Sequence, residues 1–233
     1  MKLFIAILLL SAVAQASDKI QVDLCYESLC PGCGQFITTN LGPSLDKGLL
    51  DMVDFTFVPF GNAEESKQGD QWVFTCQHGA EECSGNTLTN CVMDQISDSM
   101  TKTKAVICIE QIANVNGQGF ATALRQCSAQ YKFDSSAVTT CMGNAHGNAL
   151  QHAAAIRTPS DHQYVPWVVV NGSHPASDDD ILDDIFSWAC KNYTGSNKPA
   201  GCATKLSIKQ KLCMNKSVEN QIRSLSSQIT AEN

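Results

Sequence analysis

The sequence predicts an α/β domain whose small sheet is interrupted by a helical, cysteine-rich insertion, and three observations carry that prediction. A strand, a helix and a second strand follow one another between residues 20 and 60, with Cys30-Pro31-Gly32-Cys33 at the first strand-to-helix junction. A proline followed by a β-branched run, Val165-Pro166-Trp167-Val168-Val169-Val170, returns the chain to strand late in the sequence. Between these lie frequent cysteines and helical periodicity, punctuated by Gly117, Gly119 and Gly143.

The chain opens with Lys2, an apolar run over residues 3–13 and the small-x-small site Ala14-Gln15-Ala16. This pattern predicts a secretory signal peptide over 1–16 with the mature chain starting at Ser17. The run is too short for a membrane-spanning helix, and no later segment is apolar for long enough. All twelve cysteines follow the cleavage site, in a compartment that favours pairing. Setting Cys30 and Cys33 aside leaves enough for five bridges, whose connectivity is not legible. About 217 mature residues suffice for a core, so one domain over 17–193 is expected, with its insertion at about 61–162. The net charge of −7 excludes the basic stripe that nucleic acid requires and gives no support for anionic lipid.

Residues 20–26 alternate apolar and polar, as a half-buried strand does. Phe36, Ile37, Leu41, Leu45 and Leu49 recur at helical spacing, and Pro43 predicts a kink there. Residues 52–60 read as the second strand. Helices are expected over 88–101, 104–115, 120–131 and 145–156. After the late strand, residues 178–188 form an amphipathic helix with Ser177 as N-cap and aspartates suited to the positive end of its dipole. Those aspartates lack the glycine and glutamate spacing of a calcium loop and read as a solvated helix start. From residue 194 the chain turns polar and reads as a tail or removable pro-segment. Sequons at Asn171, Asn192 and Asn215 predict glycosylation.

Two thiols at Cys30 and Cys33, with Cys30 at a helix start, can open and close a small disulfide. Zinc would need four ligands, and there is no second Cys-x-x-Cys and no matched histidine pair, so no metal is expected. A purely structural bridge is disfavoured because so short a ring is easily reduced. Pro166 stands where thioredoxin-like folds place a cis-proline facing such a pair, and Val165 before it would offer backbone to an incoming peptide. His78 is attractive as a proton donor, yet its place between two half-cystines suits loop packing equally, while His146, His152, His162 and His174 carry no pattern.

Cys76-Gln77-His78-Gly79-Ala80-Glu81-Glu82-Cys83-Ser84-Gly85-Asn86-Thr87-Leu88-Thr89-Asn90-Cys91 matches every fixed position of C-Q-H-G-x-x-E-C-x-x-N-x-x-x-x-C. This stretch resembles the signature of the gamma-interferon-inducible lysosomal thiol reductases, as do Cys30-Pro31-Gly32-Cys33, Pro59-Phe60-Gly61-Asn62-Ala63 and Tyr164-Val165-Pro166-Trp167. The likeness runs from about Val22 to Cys202. Two departures are Pro31-Gly32, where the family often carries small residues, and Cys25, in place of an aromatic. The resemblance implies a thioredoxin-like fold with a helical insertion and reduction of protein disulfides in acidic endocytic compartments. Cys30 would attack and Cys33 resolve, without a cofactor, with the signature cysteines as structural bridges. The expected partners are disulfide-containing protein substrates and a small-thiol electron donor, with no nucleic acid and no membrane span. Cys25 pairs with a tail cysteine or stays free, and an odd thiol allows a disulfide-linked dimer. Two other functions fit a Cys-x-x-Cys: a secretory-pathway isomerase or oxidase, and, with the pair incidental, a saposin-like lipid-binding module over residues 91–141.

Overall fold

A computed structural model describes residues 19–203. The signal segment at 1–16, Asn215 and Cys213 lie outside the described residues. Strand β1 (Ile20–Tyr26) is central, with β2 (Val53–Pro59) parallel on one side and β5 (Trp167–Val170) antiparallel on the other. Side chains alternate as the strand period demands. Val22, Leu24, Tyr26, Phe55, Phe57 and Val168 enter one core, while Cys25, Val58, Trp167 and Val169 enter a second on the opposite face.

The first core is covered by the helical run that starts at α1 (Pro31–Gln35), continues as a π-helical stretch (Phe36–Leu41) and ends in α2 (Gly42–Leu45). Pro43 has no N–H to give the carbonyl four residues back, and the helix register widens just before it, with Gly42 N–H reaching Ile37 O. A short turn, α3 (Leu49–Met52), leads into β2. Helix α9 (Asp179–Asn192) completes this layer with Ile181, Ile185, Phe186 and Ala189 fully buried. Each of its large side chains contributes about 1.5–3 kcal/mol by leaving water. The aspartate-rich start of α9 is not wholly solvated. Asp178, not Ser177, occupies the N-cap position, is buried, and accepts the Tyr164 hydroxyl at 2.8 Å. Ser177 still caps in part, its hydroxyl accepting from Asp179 N–H at 3.2 Å.

Between β2 and β5 the chain forms an antiparallel hairpin, β3 (Glu64–Gln68) and β4 (Gln71–Thr75), and five helices. These are α4 (Ala80–Gln95), α5 (Ser99–Glu110) with a π-helical extension (Gln111–Val115), α6 (Phe120–Tyr131), α7 (Ser135–Met142) and α8 (Ala145–Arg157). The single helix expected over 88–101 is two, because Asp98 caps a new start by accepting Thr101 N–H. Helices α4 to α7 share a third core around Leu88, Ile109, Phe120 and Val138, and α8 covers the second core through Ala154. A thioredoxin-like α/β fold thus carries a disulfide-rich helical insertion.

Four bridges occur among the described residues: Cys76–Cys83, Cys91–Cys141, Cys108–Cys127 and Cys190–Cys202. The Cys108–Cys127 loop lies inside the Cys91–Cys141 loop, and no bridge crosses another. Cys25 is a free thiol, fully buried between the sheet and α8, and burial pushes its pKa up to about 12.

Candidate active site around Cys30 and Cys33

Three distant segments meet at the Cys-x-x-Cys. Cys30 is the N-cap of α1, and Pro31 takes the first helical position, where a missing N–H costs nothing. Cys30 N–H donates to Glu27 O at 3.2 Å and Gly34 N–H to Cys30 O at 3.0 Å. The sulfur of Cys30 accepts Cys33 N–H at 3.3 Å. The insertion supplies Asn114, whose side-chain amide donates to Cys30 O at 3.0 Å and to Glu110 Oε2 at 3.2 Å. This approach needs Gly34, since a Cβ there would stand 2.6 Å from the Asn114 amide nitrogen. From the other side, Val165-Pro166 is a cis peptide, and the Val165 carbonyl oxygen lies 4.0 Å from Cys30 Sγ.

Cys30 is less open than a helix-start residue suggests, at 8% exposure, but Cys33 is wholly buried, so Cys30 is the only one of the pair that solvent reaches. The Cys30 pKa is lowered from 9.0 to about 7. Its largest cause is the hydrogen bond from the Cys33 thiol; burial opposes, the N–H of Cys33 adds, Glu27 opposes, and the N–H of Gly32 adds. The helix start therefore does not act alone, and the second thiol of the motif does most. Cys33 itself is pushed far up by burial, by holding its proton on Cys30, and by the charges of Cys30 and Glu110. At pH 5 a pKa of about 7 leaves roughly 1% thiolate, about a hundredfold more than an unperturbed thiol holds. Alkylation of the reduced protein by iodoacetamide should accordingly rise through a midpoint near pH 7 and label Cys30 alone. A midpoint near that of a free thiol would sink this reading.

Under the pair sits a buried polar group that sequence reasoning missed. Glu110 and Tyr26 are fully buried, and only one oxygen of the Glu110 carboxyl, Oε2, accepts from Asn114. Burial raises the Glu110 pKa from 4.5 to about 8, with the Cys30 charge adding to it and Asn114 and Tyr26 opposing. A carboxyl whose pKa rises on folding stabilises the fold fully below about pH 4.5 and loses that contribution as pH climbs through about 8. Denaturant midpoints should thus fall from pH 5 to pH 8, and Glu110→Gln should flatten the decline. An equal decline in both proteins would refute the assignment. The signal available in sequence was one charged residue closing an apolar stretch, Val106-Ile107-Cys108-Ile109.

The signature around His78 is both staple and neighbour of the site. Cys76–Cys83 closes the loop before α4, and Cys91 binds α4 to α7 through Cys141. Asn86 Oδ1 accepts Ser28 N–H at 3.0 Å, and the Ser28 hydroxyl donates to Glu82 O at 3.1 Å. A Cβ on Gly85 would stand 2.4 Å from that hydroxyl, so α4 lies directly on the loop that precedes Cys30. His78 Nδ1 contacts Glu82 Oε2 closely and Glu27 Oε2 at 3.4 Å. Burial disfavours the charged imidazole, but the bond to Glu82 and the charges of Glu82 and Glu27 outweigh it and raise the His78 pKa. Neither glutamate was singled out from sequence. Glu82 was a fixed position of the signature, whereas Glu27 carried no signal.

A groove beside Gly32 and Pro166 is lined by Phe36, Thr39, Pro43 and Leu182 among others. Asn171 and Asn192 are exposed; Asn171 Oδ1 accepts Gln21 N–H, and the Asn192 side-chain amide donates to Trp188 O.

A family model described as "Gamma interferon inducible lysosomal thiol reductase (GILT)" matches residues 21–131. A gamma-interferon-inducible lysosomal thiol reductase of Carassius auratus is 34% identical over 209 residues, covering 85% of this chain and 78% of its own. Its namesake in Mus musculus is 31% identical over 202 residues, covering 84% and 77% respectively. Among solved structures, the oxidoreductase DsbA from Xylella fastidiosa matches with a TM-score of 0.47 at 16% identity, over 74% of this chain and 86% of that one.

Proposed function

Because the chain belongs to the gamma-interferon-inducible lysosomal thiol reductase family, and is therefore a thiol–disulfide oxidoreductase, we propose that it reduces protein disulfides in acidic endosomes and lysosomes through Cys30 and Cys33. The observation that carries the mechanism is the Cys30 sulfur, which receives hydrogen bonds from Cys33, lies 4.0 Å from the Val165 carbonyl oxygen and belongs to the more exposed residue of the pair. The Cys30 thiolate attacks one sulfur of the substrate disulfide, forms a mixed disulfide and expels the other sulfur as a thiolate. Cys33 then gives up its proton, attacks the Cys30 sulfur and releases the second substrate sulfur. One proton comes from Cys33 and one from solvent, so two substrate thiols leave and the enzyme holds a Cys30–Cys33 disulfide. Two molecules of a small thiol restore the dithiol by the same exchange in reverse, leaving as their own disulfide. Val165 and Pro166 hold the substrate segment, by backbone pairing to Val165 along the groove beside Gly32.

The proposed organisation is a signal peptide over 1–16, a domain over 17–193 and a polar tail beyond it, with glycans at Asn171, Asn192 and Asn215. Such a chain enters the secretory pathway, and no helix among the described residues is long and apolar enough to cross a membrane. Insulin reduction by the mature protein at pH 4.5 and pH 7 tests the acidic assignment. Turnover at pH 4.5 with a small-thiol donor supports it. Turnover confined to pH 7 would replace it with an isomerase or oxidase of the early secretory pathway, and none at either pH would leave the Cys-x-x-Cys structural and favour the lipid-binding module.

A further inference from the structure

The cluster of Glu27, His78 and Glu82 makes or breaks no bond in that exchange, yet it is built with care. Glu27 comes from the loop before the Cys-x-x-Cys, His78 from the Cys76–Cys83 loop and Glu82 from the first turn of α4. Both carboxylates are fully buried, and only His78 reaches the surface, with its side chain 36% exposed. One oxygen of each carboxylate is held in place. Glu27 Oε1 accepts Asn62 N–H at 2.7 Å, an approach that places Gly61 where a Cβ would stand 2.4 Å from Glu27 Cγ. Glu82 Oε1 accepts His78 N–H at 3.3 Å. The remaining two oxygens turn toward the same point, at His78 Nδ1, and Glu27 Oε2 has no hydrogen bond there although it is buried. A proton on His78 answers at most one of the two buried carboxylates, and a second negative charge held there is costly unless a further cation answers it.

We propose that Glu27, His78 and Glu82 form a divalent-cation site, best suited to Zn2+. The three ligand atoms lie within 4.8 Å of one another. Glu27 Oε2 and His78 Nδ1, at 3.4 Å, are spaced as two ligands of one ion with bonds of about 2.0–2.1 Å would be. Imidazole nitrogen with two carboxylate oxygens suits zinc and its first-row neighbours and does not suit Cu(I), which selects sulfur. Three protein ligands leave a fourth position open toward the exposed edge of His78. The ion would neutralise both glutamates and fasten the signature loop to the loop that carries Cys30. Sequence spacing concealed the site because its third ligand is 51 residues from the nearest of the other two. The inference does not depend on reductase activity.

The test uses the mature protein with Cys30 and Cys33 oxidised, so that their thiols cannot bind metal. Isothermal titration with ZnCl2 at pH 7 should show one Zn2+ per chain, accompanied by a rise in melting temperature. Glu27→Gln and His78→Gln should weaken binding by at least the roughly 10–100-fold that loss of an outer partner costs in other zinc proteins. His146→Gln, which alters the exposed pair of His146 with Asp94, should leave it unchanged. Zinc binding that survives both cluster variants, or that disappears with His146→Gln, overturns the proposal, as does no binding at all. X-ray absorption of the zinc-loaded wild-type protein needs no variant: a shell of nitrogen and oxygen ligands supports the site, and a sulfur shell refutes it.

Discussion

Replacing Cys30 by serine should reduce disulfide-reductase turnover to the uncatalysed background, whereas Cys33→Ser should leave the first half-reaction intact and accumulate enzyme–substrate mixed disulfides. The asymmetry follows from burial and proton placement. Only Cys30 is reachable, and only its sulfur is poised as a thiolate near neutral pH, while Cys33 is held protonated by burial and by its bond to Cys30. A serine at 30 has neither the nucleophilicity nor the leaving ability that exchange needs. A serine at 33 keeps a hydrogen-bond donor but cannot resolve the intermediate. Cys33→Ala, which loses the donor, should in addition move the alkylation midpoint of Cys30 from near 7 back toward 9.0. Non-reducing electrophoresis and intact mass after incubation with insulin would show the conjugates. Wild-type turnover by Cys30→Ser, or steady turnover without conjugates by Cys33→Ser, would sink the assignment.

Removal of the Cys91–Cys141 bridge by paired alanines should cost about 4 kcal/mol, the largest stability loss expected from any one of the four bridges. The two cysteines are separated by 50 residues, against 19 for Cys108–Cys127, 12 for Cys190–Cys202 and 7 for Cys76–Cys83. A longer closed loop restricts the unfolded chain more. Cys91 is also 2% exposed, inside the core shared by α4 to α7, so alanine there removes packing as well. For a domain of this size the loss corresponds to a melting temperature lower by about 8–16 °C. Activity should fall with it, because Asn114, which holds the Cys30 carbonyl, and Glu110, which accepts from Asn114, lie inside the closed loop. A paired variant that melts within about 2 °C of wild type would show that the insertion's helices need no such constraint.

The framework elements were legible because each had one dominant periodic signal. β1 alternates, β5 is β-branched, and α9 presents Ile181, Ile185 and Ala189 on one face. The β3–β4 hairpin was missed because Glu64-Glu65-Ser66-Lys67-Gln68 is polar and mostly exposed, so the alternation of Trp72 and Phe74 in β4 had no partner strand to read against. α7 was missed because it buries only Val138. At the site, Cys30, Cys33 and Pro166 were readable from local context. Asn114 was not, since it reaches Cys30 across 84 residues and resembles any surface amide in sequence. Glu110 was hidden for the opposite reason: a charge in an apolar helix reads as a solvated residue until its burial is known. Five bridges were expected; four form among the described residues, where Cys25 is a free thiol whose neighbours in its core, Cys76 and Cys83, are bonded to each other, and Cys213 lies outside them.

The uncrossed arrangement of the bridges has a consequence for biogenesis. A ribosome adding about 5–20 residues per second needs about 7–27 s to advance from Cys30 to Val165, the partner that faces it. Throughout that interval Cys30 and Cys33 stand without their cover, in reach of every cysteine that emerges later. Closing Cys30 to Cys33 three residues away withdraws them from that competition at once. Each later bridge can then close as soon as its second half arrives, Cys76–Cys83 first, Cys108–Cys127 inside the waiting Cys91–Cys141 pair, and Cys190–Cys202 last. Because no bridge crosses another, none of these four bonds has to be undone for a later one to close.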